Sequence, residues 1–206
     1  GVCAVITLVN LGSGAQISIE KAISGLGTNL LVIFPGSVTQ GGIRTGYGTV
    51  TTFIAEDADA ILNECADVQM VSPLVTSAAQ VVFQNQNWST SILGADTDYQ
   101  RIKNWPLALG EFFTAQDVKA ATKVCIVGET VADKLFVKQN PVGQVIRIKR
   151  MPFRVVGVLT PKGQTAFGQD QDDTILVPYT TAQKRLVGIT HVSMIMASAV
   201  SVEGTA

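Results

Sequence analysis

Residues 141–163 read PVGQVIRIKRMPFRVVGVLTPKG, and the fold is read outward from this run. Val145, Arg147 and Lys149 alternate with Ile146 and Ile148, and after Met151-Pro152 the segment Phe153-Arg154-Val155-Val156-Gly157-Val158 brings the chain back. Period-two patterning between Pro and Gly marks a β-hairpin, here with its turn at Met151-Pro152 and a wet face carrying Arg147 and Lys149. The clearest pattern in the chain therefore holds no catalytic group. It reads as architecture.

The rest of the composition agrees with a folded, non-basic chain. Its 206 residues, 47% of them hydrophobic, suffice for one large domain or two small lobes. Charged residues make up only 15% and sum to −1, which offers no basic face to nucleic acid. Cys3, Cys65 and Cys125 are odd in number and far apart, so they read as buried thiols, with neither a disulfide framework nor a metal-binding pair.

Gly1–Leu11, GVCAVITLVNL, is apolar and uncharged but much shorter than the ~20 residues that span a bilayer. It also lacks a basic leader. With no initiator Met, it reads as the outer end of a transmembrane helix in a longer chain, or else as a core element at a domain edge. Ile17, Ile19, Ile23 and Leu26 continue it as a helix, so that 5–26 forms one helical run stopped by Gly25 or Gly27. Further along, 30–34 (LLVIF) reads as a buried strand and the Gly-rich 36–51 as a loop. A helix is predicted from Ile54 to Cys65, with Glu56 and Asp57 favourable in its first turn.

From Val68 to Ala95 the chain reads as two strands with a turn near Asn85-Gln86-Asn87. LGEFFTAQDVKAA is a loop with a helical turn, KVCIVG a buried strand and ETVADKLF a short helix. After the hairpin come the strand TILVP, a helix near Thr181–Leu186 and a last strand, VSMIMASAV. Strands and short helices without regular alternation predict an α+β fold, not a doubly wound sheet.

Candidate chemistry is sparse. The Gly-rich 36–48 contains no Lys, so it cannot be a phosphate loop, and GSGAQI at 12–17 lacks the third glycine of a dinucleotide fingerprint. There is no G-x-S-x-G elbow, and the single histidine, His191, has no partner at a recognisable spacing. Asp170, Asp172 and Asp173 in GQDQDD could gather on a hard cation, but they lack the glycine and glutamate placement of a calcium loop and read as a solvated turn. Trp88, Trp105, Phe112 and Phe113 could make a stacking surface and read instead as core. No catalytic, cofactor-binding or metal-binding residue is assigned.

Nine segments taken in order carry a resemblance. They are GVCAVITLVNLGSGAQ, IxxLGTNLLVIFPG from Ile23 to Gly36, VSP at 71–73, GADTDY at 94–99, LALGEFF at 107–113, VGETVADKLF at 127–136, NPVGQVIRI at 140–148, FRVVGVL at 153–159 and DDTILVPYTTAQKRL at 172–186. Together they resemble the periplasmic core domain of MacB-type ABC transporter permeases across nearly the whole chain.

That resemblance implies a non-catalytic domain without cofactors, anchored by transmembrane helices on the periplasmic or extracellular side of the bacterial cytoplasmic membrane. It implies a nucleotide-binding domain on the cytoplasmic side, a homodimeric parent, and in Gram-negative cells a periplasmic adaptor and an outer-membrane channel. It also implies two lobes. The first is a membrane-proximal α/β lobe from 12–75 and 187–206, with 1–11 as the end of the first transmembrane helix and the lobe incomplete at its C-terminus. The second is a β-rich outer lobe inserted at 76–186. The alternatives are the external domain of a lipoprotein-releasing permease, or a secreted enzyme or ligand sensor built on the Asp170 cluster or the aromatic residues.

Overall fold

A computed structural model of the chain describes residues 29–36, 39–40, 43–44, 53–137, 139–165 and 168–200. The helical run expected over 5–26 and Cys3 lie outside them. The segment 141–163 forms the hairpin β8 (Val145–Ile148) and β9 (Met151–Leu159), paired Ile146 to Phe153 and Ile148 to Met151. Ile146 and Ile148 are buried, while Val145 and Arg147 face solvent, as the alternation predicts. The turn, however, is Lys149-Arg150, with φ of 48° and 71°. Two consecutive positive φ values define the turn whose twist matches a hairpin, usually announced by Asn-Gly. Lys-Arg gives no such signal. Pro152, expected in the turn, lies within β9 before that strand's pairing with β7 begins at Arg154, so on that edge its missing N–H interrupts no ladder.

The hairpin closes a ring. β4 (Val68–Phe83) and β5 (Gln86–Ala95) form the longest hairpin, turning at Gln84-Asn85, one residue earlier than expected. β5 then pairs in parallel with β10 (Thr174–Pro178), which pairs with β7 (Val124–Val127), which pairs in parallel with β9. β9 pairs with β8, and β8 returns to β4 through Val81 opposite Ile148 and Val82 opposite Arg147. Six strands thus make a closed barrel. Alternate residues of all six (Val81, Ile92, Ile175, Val127, Phe153 and Ile146 among them) meet in one buried cluster, as inward positions of a small barrel must.

Each end of this interior is stopped by a helix. α4 (Glu129–Phe136) contributes Val131, Leu135 and Phe136, whose ring lies 4.5 Å from that of Phe83 at the far end of β4. Roughly 26 Å along the same strand, at ~3.3 Å per residue, Val75 and Gly94 face the other stopper. This is α5 (Tyr179–Thr181), which widens into a π-helical turn, Ala182–Val187. A Cβ at Gly94 would stand 2.6 Å from the Ala182 Cβ and 3.0 Å from the Tyr179 Cα, so only glycine lets the stopper seat.

Outside the ring a second cluster gathers Ile126, Leu176 and Leu159 beneath α2 (Tyr99–Ile102), Trp105, Phe113 and α3 (Ala115–Ala120). Among the described residues β6 (Leu107–Gly110) pairs only with β9 and ends the sheet on this side. At the other end the first half of β4 pairs with β11 (Met194–Ala199), and β11 pairs with β1 (Leu30–Ile33). α1 (Ala55–Glu64) packs on β4, within a residue of its expected bounds.

The fold is α+β with a sheet-rich body. Two local expectations are corrected. The run at 30–34 is an edge strand and not a buried one, with Val32 38% and Phe34 52% exposed, because among the described residues only β11 flanks it. Within 36–51, read as loop, the short strands β2 (Thr39–Gln40) and β3 (Ile43–Arg44) pair with each other. Among the described residues no helix is long and apolar enough to cross a membrane.

Gly94→Ala is expected to lower stability by about 1–3 kcal/mol through overpacking against Ala182, read as a lower urea midpoint at unchanged m-value. Adding Ala182→Gly should recover part of that loss. A double variant no more stable than the single one would place the strain elsewhere.

Candidate functional site

The acidic segment is built as structure. Asp172 is buried, and its two carboxylate oxygens accept from the backbone N–H groups of Lys162 and Gly163, both at 2.8 Å. Asp170 accepts from the Thr130 hydroxyl at 2.7 Å and from the Asp172 N–H at 2.9 Å. Asp173 accepts from the Trp88 indole N–H at 2.8 Å. The three carboxylates point to three different partners, and no group of three His, Cys, Asp or Glu among the described residues could hold a metal ion. The solvated turn expected here is therefore corrected: Asp172 folds the 160–173 excursion back on itself. Gly128 lets the excursion approach α4, since a Cβ there would stand 2.1 Å from the Asp172 carbonyl oxygen.

The aromatic candidates do not converge. Trp88 belongs to the barrel cluster, with the Lys134 ammonium 5.3 Å from its ring centre. Trp105, Phe112 and Phe113 belong to the outer cluster, where the two phenylalanine rings tilt together at 4.3 Å and the Trp105 indole N–H donates to the Thr160 carbonyl at 2.7 Å. All four are accounted for by packing, as the sequence predicts for core residues.

Cys125 is fully buried, burial pushes its thiol far up from the ordinary value, and its Sγ lies 3.7 Å from the Arg154 carbonyl. Such a thiol is inert. Cys65, expected buried, is exposed, because it sits at the C-terminal cap of α1 beyond the helix face that packs on β4. His191 lies in the turn before β11, where its carbonyl accepts from the Gln183 amide at 3.1 Å.

Lys162, like Lys103, is a cation that burial holds below its ordinary value and that the sequence did not single out; PKG at 161–163 reads only as a turn. Its ammonium donates to the Lys103 carbonyl at 2.7 Å and lies 5.3 Å from the Trp105 ring centre. Burial first, and then the neighbouring Lys103 charge, bring it down to about 8 against the opposing pull of Asp172. The group reinforces the same excursion.

The polar candidates are thus held by bonds within a sheet-rich α+β body, and that fold is shared with extracytoplasmic domains of transporters. The periplasmic region of MacB from Actinobacillus actinomycetemcomitans superposes with a TM-score of 0.71 at 24% identity, covering 87% of this chain and 78% of that one. The extracellular domain of the noncanonic ABC-type transporter YknZ from Gram-positive bacteria gives 0.68 at 18% identity, covering 84% and 86%. The sequence carries the assignment further: residues 1–206 match the MacB-like periplasmic core domain, and the chain belongs to that family.

Full-length relatives called macrolide export ATP-binding/permease protein MacB are 41% identical in Syntrophobacter fumaroxidans, over 91% of this chain and 26% of theirs. In Chlorobaculum tepidum the identity is 39%, over 100% of this chain and 32% of the relative. The chain thus spans about a quarter to a third of the relatives it matches. It is the periplasmic core domain of a MacB-like ABC transporter permease.

Because Lys162 titrates near 8 in the folded chain against 10.5 ordinarily, the folded state releases that proton first. Its contribution to stability rises between about pH 8 and 10.5 and is flat below. Melting temperatures of the wild type should therefore gain on those of Lys162→Met across that window. A constant difference between the two proteins would remove the argument.

Proposed function

We propose that this domain serves its parent transporter as a non-catalytic transmitter of conformational change and as a docking platform for a periplasmic adaptor, in the export of peptides, antibiotics or other amphiphiles. The observation that carries the reading is the family match over all 206 residues, set beside polar groups committed to the fold. A homodimeric parent, with membrane helices, a nucleotide-binding domain and an outer-membrane channel as partners, belongs to the same proposal.

The two-lobe division belongs to it as well. Its support is the change of partner along β4, which pairs with β11 up to Leu74 and with β5 from Val75, close to the 75/76 boundary that the resemblance implies. The buried clusters cross that boundary, since Val71 and Ile195 pack with the barrel interior. In this reading the two lobes move as one stiff unit, and flexibility is left to the membrane-side connection.

The helix read from the sequence over 5–26 is that connection. A continuous helix transmits tilt, whereas a Gly-Ser segment behaves as a flexible coil. Inserting Gly-Ser-Gly-Ser after Ser18 of the intact permease should abolish export and leave ATP hydrolysis intact, while the same insertion between Gly41 and Gly42 should be far milder. Export at the wild-type rate through the Ser18 insertion would reduce the domain to a passive vestibule. The 206-residue chain alone is expected to bind no Mg-ATP in calorimetry, and micromolar binding would overturn the non-catalytic role.

A further inference from the structure

β6 has one strand neighbour, β9, and no described strand pairs with its other edge. The strand reads Leu107-Ala108-Leu109-Gly110, short and with a bulge in its pairing to β9, but with neither charge nor proline, two of the devices that protect an edge. Leu109 is 51% exposed. Ala108 and Leu109 also form one wall of a cleft of about 210 Å³, whose floor is Val158 and Leu159 and whose far side is α4 with Pro141 and Pro161. This volume is below the ~300 Å³ at which small-molecule sites begin. It suits a single side chain.

The charge of the cleft selects which side chain. Glu129 and Asp133 line it one helical turn apart on α4, and none of its lining residues is basic. The Glu129 Oε2 atom is fully buried and has no hydrogen-bond partner among the described residues. A buried carboxylate oxygen without a donor is costly, so a cation placed beside that carboxylate in the cleft would be strongly held.

We propose that this place takes an extended segment of a protein partner, added as a strand to the edge of β6, with one lysine or arginine side chain entering the cleft between Glu129 and Asp133. Strand addition supplies backbone hydrogen bonds, and a pocket beside the edge supplies selectivity. A four-residue edge offers few such bonds, so the cationic anchor carries the discrimination. The inference adds to the transport reading without depending on it, because it concerns the 206-residue chain alone.

The test is amide chemical-shift mapping of that chain with three probes: the blocked peptide acetyl-Thr-Val-Lys-Val-Thr-amide, its norleucine analogue, and n-butylammonium. The lysine peptide should give saturable shifts at both 108–111 and 129–133, and the norleucine analogue should bind at least tenfold more weakly. Glu129→Gln should weaken the lysine peptide at least tenfold. Asp133→Asn, at an exposed position where folding is not at stake, should weaken it several-fold. Three results would overturn the proposal: equal binding of the lysine and norleucine peptides, shifts that miss 108–111, or indifference to both variants. Butylammonium binding as tightly as the peptide would show a site for free amines and would sink strand addition.

Discussion

Two rungs of backbone pairing between β8 and β4, Val81 opposite Ile148 and Val82 opposite Arg147, turn an open sheet into a ring. Without them β8 would hang from β9 alone and the inward side chains of six strands would face water on one flank. With them, Ile146, Ile148, Phe153 and Val155 join Val75, Val81 and Ile92 in a common interior. Because strand side chains alternate with period two, a slip of one residue at those rungs would expose both isoleucines and bury Arg147. The strict alternation at 145–148 is the sequence form of that constraint.

The closure also explains the long β4. A strand of 16 residues is well beyond the usual five or six, and it is long because it serves two neighbourhoods. Its first half is flanked by β11, and its second half is flanked by β5 and β8. No loop intervenes between them. The backbone that belongs to the terminal sheet is, about 50 Å of contour later at ~3.3 Å per residue, the backbone that receives the α4 stopper through Phe83 and Phe136. The polar groups conform to the same plan: Asp172, Asp173 and the Trp88 and Trp105 indoles all secure segments between strands.

Much of this was legible in the residues. Strands with two-sided burial, such as Val124–Val127 and Thr174–Pro178, appear as unbroken apolar runs, and α1 appears through its acidic first turn. Ring closure was not legible, because pairing between strands some 65 residues apart leaves no local trace. The Lys149-Arg150 turn was hidden because its positive φ values fall on residues that carry no conformational signature. The exposure of Val32 and Phe34 was hidden for a related reason: an edge strand and a central strand share the same side chains and differ only in their neighbours. The cleft beside β6 draws on 108–109, 129–133, 139–141 and 158–161, four stretches that become one place only after the barrel has closed. Aspartates in GQDQDD announced themselves by composition, yet what each does depends on partners as distant as Trp88 and Thr130.

The antiparallel pair β1 and β11 brings Leu30 opposite Ser198, and the Asn29 side-chain amide donates to the Ala199 carbonyl at 3.3 Å. Facing residues in such a pair stand only about 5 Å apart. The first and last described strands of the body thus lie side by side. Where two strands neighbour each other in this way, a pull on one is felt at once by the other, and the pair turns together about one place in the sheet.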